Sequence, residues 1–304
     1  MNSRSLVRAT FVIAVLIALG AFVWQSRVEI GEALYRLPLS GLLLSLLAAG
    51  GFALSSFGAW KVLIDRNGAT LSIAQAARIY FLGQIGKYIP GGIWQFLASA
   101  ELGRTANLSR ASTVSSFVFA LAASLTAGSA VVLLTMPEAL PNMAISPLWF
   151  FGLAAVPFAI LLSPAFHKLC ARFGKGDGAP PRRRLTAAFA LSLITWLFGG
   201  LHIWLLARGI GVPLGLGDLA PLAGCYAAAW MAGFLIMIAP AGMGAREGTL
   251  VALLSLTMAV PEAVTIALLS RILATLVDVL AAGMVLALTR GPPLPPAASP
   301  PLRG

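Results

Sequence analysis

The sequence is short of charge: only 10% of its 304 residues are Asp, Glu, Lys or Arg, against 59% hydrophobic residues. A soluble globular protein needs roughly a quarter of its residues charged, so that class is excluded. Acidic residues are scarcest, ten against 21 Lys and Arg, which leaves a net charge of +11. A nucleic-acid partner does not follow, because the basic residues fall mostly in short loops between apolar runs, as membrane topology requires. The two cysteines, Cys170 and Cys225, stand far apart and form no CxxC or Cys/His cluster. That excludes a disulfide framework and a zinc site, so no metal and no cofactor are expected. Nor is there a metal-binding carboxylate pair or a nucleophile-and-base motif, and no enzyme is expected.

What the sequence does have is long apolar runs. Six are long enough to cross about 30 Å of hydrocarbon: Ala9 to Trp24, Leu39 to Ile64, Ser112 to Met136, Pro147 to Ser163, Leu185 to Ala207 and Ala263 to Thr289. The first and fourth are short for a span. Between them lie two irregular stretches, Ile73 to Gly103 and Leu219 to Val260. These carry similar interruptions, Gly83-x6-Pro90-Gly91-Gly92 and Gly233-x6-Pro240-Ala241-Gly242, set 150 residues apart. Proline removes a backbone donor and glycine weakens helix, so backbone opened at membrane depth must face protein or water.

If each stretch enters and leaves on one side, fourteen basic residues fall on inner loops: Arg4, Arg8, Lys61, Arg66, Arg104, Arg110, the cluster from Lys168 through Arg184, Arg290 and Arg303. Only Arg27, Arg36 and Arg208 fall outside. A single span through Ile73 to Gly103 would move Arg182, Arg183 and Arg184 outside, against the positive-inside bias. The expected fold is therefore an all-α, polytopic integral membrane protein with six full spans and two Pro/Gly-broken re-entrant helix pairs. Both termini are expected in the cytoplasm of a bacterial-type inner membrane. Residues 1–290 form one transmembrane domain, with repeats at about 39–136 and 185–289. The span at Pro147 to Ser163 inverts the second repeat, so the two breaks meet near the midplane. The N-terminal run with Arg4 and Arg8 reads as an uncleaved signal anchor. Residues 291–304, with six prolines, read as a disordered cytoplasmic tail.

The breaks are also where charge enters the membrane. A lysine at that depth costs about 2.5 to 3.5 kcal/mol, so Lys87 needs a partner. A lipid phosphate would serve; snorkelling or pairing with Glu101 are the structural alternatives. In the second break a helix starting near Gly244 would present free amides to an anion, with Arg246 as a forked donor. Glu247 would orient Arg246 or cap the first turn, and an Arg246–Glu247 pair that only locks the break is the other reading. Arg271 and Asp278, seven apart, share one helix face. They read either as mutual or interhelical neutralisation or as a relay coupling transport to a gradient. His202 reads as a hydrogen-bonded packing residue rather than a switch.

The segments Lys87-Tyr88-Ile89-Pro90-Gly91-Gly92 and Ala239-Pro240-Ala241-Gly242-Met243-Gly244-Ala245-Arg246-Glu247-Gly248 resemble the lysylphosphatidylglycerol synthase transmembrane-region family, also called flippase-like. The resemblance covers about Leu39 to Thr289, and the Pro-x-Gly-x-Gly-x-Arg-Glu pattern is its more specific part. Members occur as the lipid-translocating part of aminoacyl-phosphatidylglycerol synthases, fused to glycosyltransferases, or alone beside cell-envelope genes. The longest polar stretch here, His167 to Arg184, reads as a loop, so lysyl-lipid synthesis is not expected. The resemblance implies a partner that is an anionic membrane lipid or a lipid-linked sugar. Lys87 and Arg246 would hold the phosphate, and Glu247, Gln84, Tyr88, Trp94 and Gln95 would join them along the head-group path. Pro90, Gly91, Gly92, Pro240, Gly242 and Gly244 would form the helix breaks that gate it. Two other roles stand beside this one: an accessory subunit assembling envelope-synthesis enzymes, and an intramembrane transferase acting on a lipid-linked substrate.

Overall fold

The computed structural model describes residues 38–65, 70–89, 92–135, 159, 163, 164, 180–235, 242 and 244–289. Among these residues the fold is all helical, and eight α-helices follow in order: α1 Leu39–Ile64, α2 Ile73–Gln84, α3 Trp94–Arg104, α4 Arg110–Thr135, α5 Arg182–Gly209, α6 Leu219–Leu235, α7 Ala245–Leu254 and α8 Val260–Leu288. The expected spans at Ala9 to Trp24 and Pro147 to Ser163, the N-terminal anchor and the proline-rich tail lie outside the described residues, apart from isolated positions in the fourth run.

Four helices, α1, α4, α5 and α8, are long and apolar enough to cross a membrane. The expected run Leu39 to Ile64 coincides with α1, but α5 starts at Arg182 rather than Leu185. Pro180 and Pro181 stand just before it, and Arg182, Arg183 and Arg184 form its first turn instead of belonging to the preceding loop. The four remaining helices are short. At about 1.5 Å per residue, α2 and α3 reach only about 18 Å and 16 Å, well short of a bilayer.

The helices recur in one order: long, short, break, short, long. Local chemistry starts a short element in each half. Ser72 Oγ accepts the Gln75 amide at 3.2 Å while Gln75 Oε1 accepts the Ser72 amide, a capping box that opens α2. Asp218 closes the turn before α6 by accepting the Gly215 amide at 2.7 Å. The first break runs through a 3₁₀ turn, Ile85–Tyr88, to Gly92 at φ 64°; the second passes Gly242 at φ 71° and Gly244 at φ 84°. Side chains rarely adopt that left-handed region, so the matching glycines at 92 and 242 are required by the backbone.

The first long helices of the two halves, α1 and α5, pack antiparallel. At one end Arg184 donates to the Val62 carbonyl at 3.2 Å, and at the other His202 Nδ1 meets Ser45 Oγ at 2.7 Å. His202, 1% exposed, also joins Ser270 of α8 through Nε2 at 3.0 Å, so one side chain clasps three long helices. Buried polar groups must be paired in this way where no water reaches them.

Candidate functional site

Both breaks open onto one cavity of about 450 Å³, and all eight described helices contribute to its wall. That volume is within the range of small-ligand pockets. Aromatic side chains make much of the wall. Trp60 stacks on Phe117 with centroids 4.9 Å apart on the first-repeat side, and Trp230 stacks on Phe234 at 5.7 Å on the other. Trp60 keeps its indole N–H satisfied by Ser116 Oγ at 3.0 Å, which allows the ring to be fully buried.

Close approach of the short helices places the charged groups. A Cβ on Gly83 would stand 3.0 Å from Ser99 Cβ, and its counterpart on Gly233 2.9 Å from Arg246 Cβ, so each pair packs backbone to backbone. This brings Lys87, Gln84 and Gln95 from the first half and Arg246 from the second to the cavity wall, together with Arg271 and Asp278 of α8. Tyr88 and Glu247 sit behind the wall. Tyr88 is 6% exposed, with its hydroxyl turned to α8. Trp94 is turned outward and 42% exposed, away from the cavity. Gly92 and Gly242 line the cavity, whereas Pro90, Gly91 and Pro240 lie outside the described residues.

Lys87 does not pair with Glu101. Its Nζ lies 2.6 Å from Asp278 Oδ2, and the same oxygen accepts the Tyr88 hydroxyl at 2.6 Å. Glu101 instead takes exposed Arg110 at 2.8 Å and Arg104 at 3.3 Å, because α3 carries it away from the break. Arg271 lies beside Glu247, Nε to Oε1 at 3.5 Å, so α8 supplies a counter-ion to each break and Arg271 and Asp278 are neutralised between helices. Glu247 also accepts the Gly244 amide on Oε2 at 2.7 Å. The N-terminus of α7 thus already holds a carboxylate, which corrects the expectation of free amides there. The expected Arg246–Glu247 pair does not form either: Arg246 donates to Tyr226 Oη at 2.6 Å, with its guanidinium 5.0 Å from that ring.

Tyr226 was missed. Its signal was rarity, since the chain has four tyrosines and three of them, Tyr80, Tyr88 and Tyr226, surround these charges. The outcome is an uneven charge distribution. Lys87 and Arg271 each face a carboxylate, whereas Arg246 meets only a neutral phenol, with no carboxylate in ion-pair range among the described residues.

Residues 11–282 match the family model described as lysylphosphatidylglycerol synthase TM region. The chain belongs to this family. With its four apolar spanning-length helices it is a multi-pass membrane protein of lipid-related role. A comparison with curated proteins gives no match. In this member of the lysylphosphatidylglycerol synthase transmembrane family, the Pro-x-Gly-x-Gly-x-Arg-Glu stretch has a plain physical content. Gly242 and Gly244 turn the chain, Glu247 caps the new helix and holds Arg271, and Arg246 is left facing the cavity.

Proposed function

We propose that the protein is a flippase-like transporter that moves an anionic phospholipid or a polyprenyl-phosphate-linked lipid across a bacterial-type inner membrane, for envelope biogenesis and without catalysing a reaction. The observation that carries this reading is Arg246, a guanidinium on the wall of an aromatic cavity whose local partner is a phenol rather than a carboxylate. A half-buried cation of this kind gains most from a forked phosphate contact. Gln84 and Gln95 add neutral donors for the rest of the head group, and the aromatic wall suits its glycerol or sugar.

The short, paired helices favour re-entrant breaks rather than two further spans, and antiparallel α1 and α5 fit an inverted repeat with alternating gates at the two breaks. Both termini would then be cytoplasmic. Lys87 enters this reading differently from Arg246, because Asp278 already occupies it. The test is head-group accessibility of labelled anionic lipids in proteoliposomes. Wild type should expose the label on the far leaflet, and Arg246→Ala should slow it at least tenfold at unchanged melting temperature. A wild type that moves neither phospholipids nor polyprenyl-phosphate lipids would remove the transporter reading.

A further inference from the structure

Asp278 is accessible from the cavity in a way that its role as a counter-ion alone does not require. Its side chain is 15% exposed and that of Lys87 31% exposed, so both members of the pair can meet a ligand. The groups around the carboxylate are Lys87 and Tyr88 from the 3₁₀ turn, Thr275 one turn earlier on α8, Arg271 two turns earlier, and Tyr80 from α2. Arg246 lines the same cavity.

Among the described residues the charges at the site are Lys87, Arg246 and Arg271 against Glu247 and Asp278, an excess of one positive charge. A head group with a single negative charge, bound at Arg246, brings the site to neutrality. One with two negative charges leaves a buried excess of one, which a low-dielectric site opposes strongly. The second charge has an obvious partner in Lys87, but Asp278 holds it.

We infer that Asp278 is a proton-binding site coupled to head-group charge, so that the cavity takes a doubly charged phosphate head group together with one proton. The proton comes from water and adds to the Asp278 carboxylate. Lys87 keeps its own proton and transfers its ion pair to the ligand's second anionic group, and no bond in the lipid changes. Tyr88, whose hydroxyl also reaches Thr275 Oγ1 at 3.2 Å, is placed to hydrogen-bond the neutral acid. A singly charged head group leaves the Lys87–Asp278 pair intact and takes up no proton. This inference rests on the proposed binding of a phosphate head group in the cavity.

Titration calorimetry of the purified full chain, in two buffers of different ionisation enthalpy, counts the protons taken up on binding. The probes are short-chain phosphatidylglycerol, farnesyl monophosphate at mildly alkaline pH, and inorganic phosphate. Farnesyl monophosphate should bring in about one proton more with wild type than with Asp278→Asn, and its wild-type affinity should rise about tenfold per unit fall in pH over the mildly alkaline range. Phosphatidylglycerol should show no such difference. Binding of farnesyl monophosphate without inorganic phosphate assigns the site to lipids; equal binding of both assigns it to the phosphate group itself, with the same proton count. Binding of both lipids with equal proton counts in wild type and variant overturns this inference alone. Binding of neither overturns the transporter reading with it.

Discussion

The two breaks share their geometry and differ in their charge. Each has a glycine where its short helices cross, Gly83 or Gly233, and a glycine at positive φ, Gly92 or Gly242. By the 150-residue spacing of the glycines Arg246 pairs with Phe96, but Trp94 opens α3 as Ala245 opens α7, so Gln95 and Arg246 are each the second residue of the helix after the break, both on the cavity wall. One is neutral and the other is a cation. In the first break the cation, Lys87, sits before the turn and is neutralised by Asp278; in the second, the carboxylate Glu247 sits after it and neutralises Arg271. Shape is thus set by glycine and repeated, while charge is set by single side chains and is not. Repetition belongs to the scaffold and asymmetry to the binding chemistry.

The comparison breaks most severely at the more buried ion pair. Glu247→Gln removes the carboxylate beside Arg271, 6% exposed, and should cost about 3 kcal/mol, read as a drop in melting temperature in detergent. Replacing both Arg271 and Glu247 with apolar residues should recover most of that loss. Gly83→Ala and Gly233→Ala should each cost about 2 kcal/mol by forcing the short helices apart, and equal losses would confirm that the two crossings do the same work. Asp278→Ala should cost less, about 1 kcal/mol, because the Lys87 pair is partly open to the cavity. Gln95→Arg would make the first break resemble the second, and should raise affinity for a singly charged phospholipid about threefold in a binding titration. Glu101→Gln, by contrast, should leave melting and transport unchanged, since its partners are exposed arginines outside the cavity.

Much of the scaffold was legible because its signals are local. Leu39 to Ile64 reads as one helix because nothing in it breaks an apolar run, and both interruptions declare themselves through proline and glycine. Arg246 and Gln95 could be placed near the site because each follows a break within a few residues. The ion pairs were not legible. Tyr88 and Asp278 are 190 residues apart in the chain, and Lys87 had Glu101 as a nearer and equally plausible carboxylate. The choice between them depends on which way α3 leaves the turn, a tertiary fact. Seven-residue spacing put Arg271 and Asp278 on one face but could not say that they serve different breaks. Trp94 was misassigned for the same reason: the first residue of a helix can point to either side, and here it points away from the cavity.

The electrical inequality of the two halves bears on the resting state. A protein that alternates by letting two inverted repeats exchange conformations has two end states that would be equal in energy if the repeats were identical. If the protein alternates as proposed, Arg246 at the start of α7 against only neutral Gln95 and Phe96 at the start of α3 means that the empty protein would not rest evenly between them. About 1.4 kcal/mol of difference is enough to hold nine molecules in ten facing one leaflet. In that proposed cycle, the uneven charge of the two breaks would be a built-in bias toward one side of the membrane.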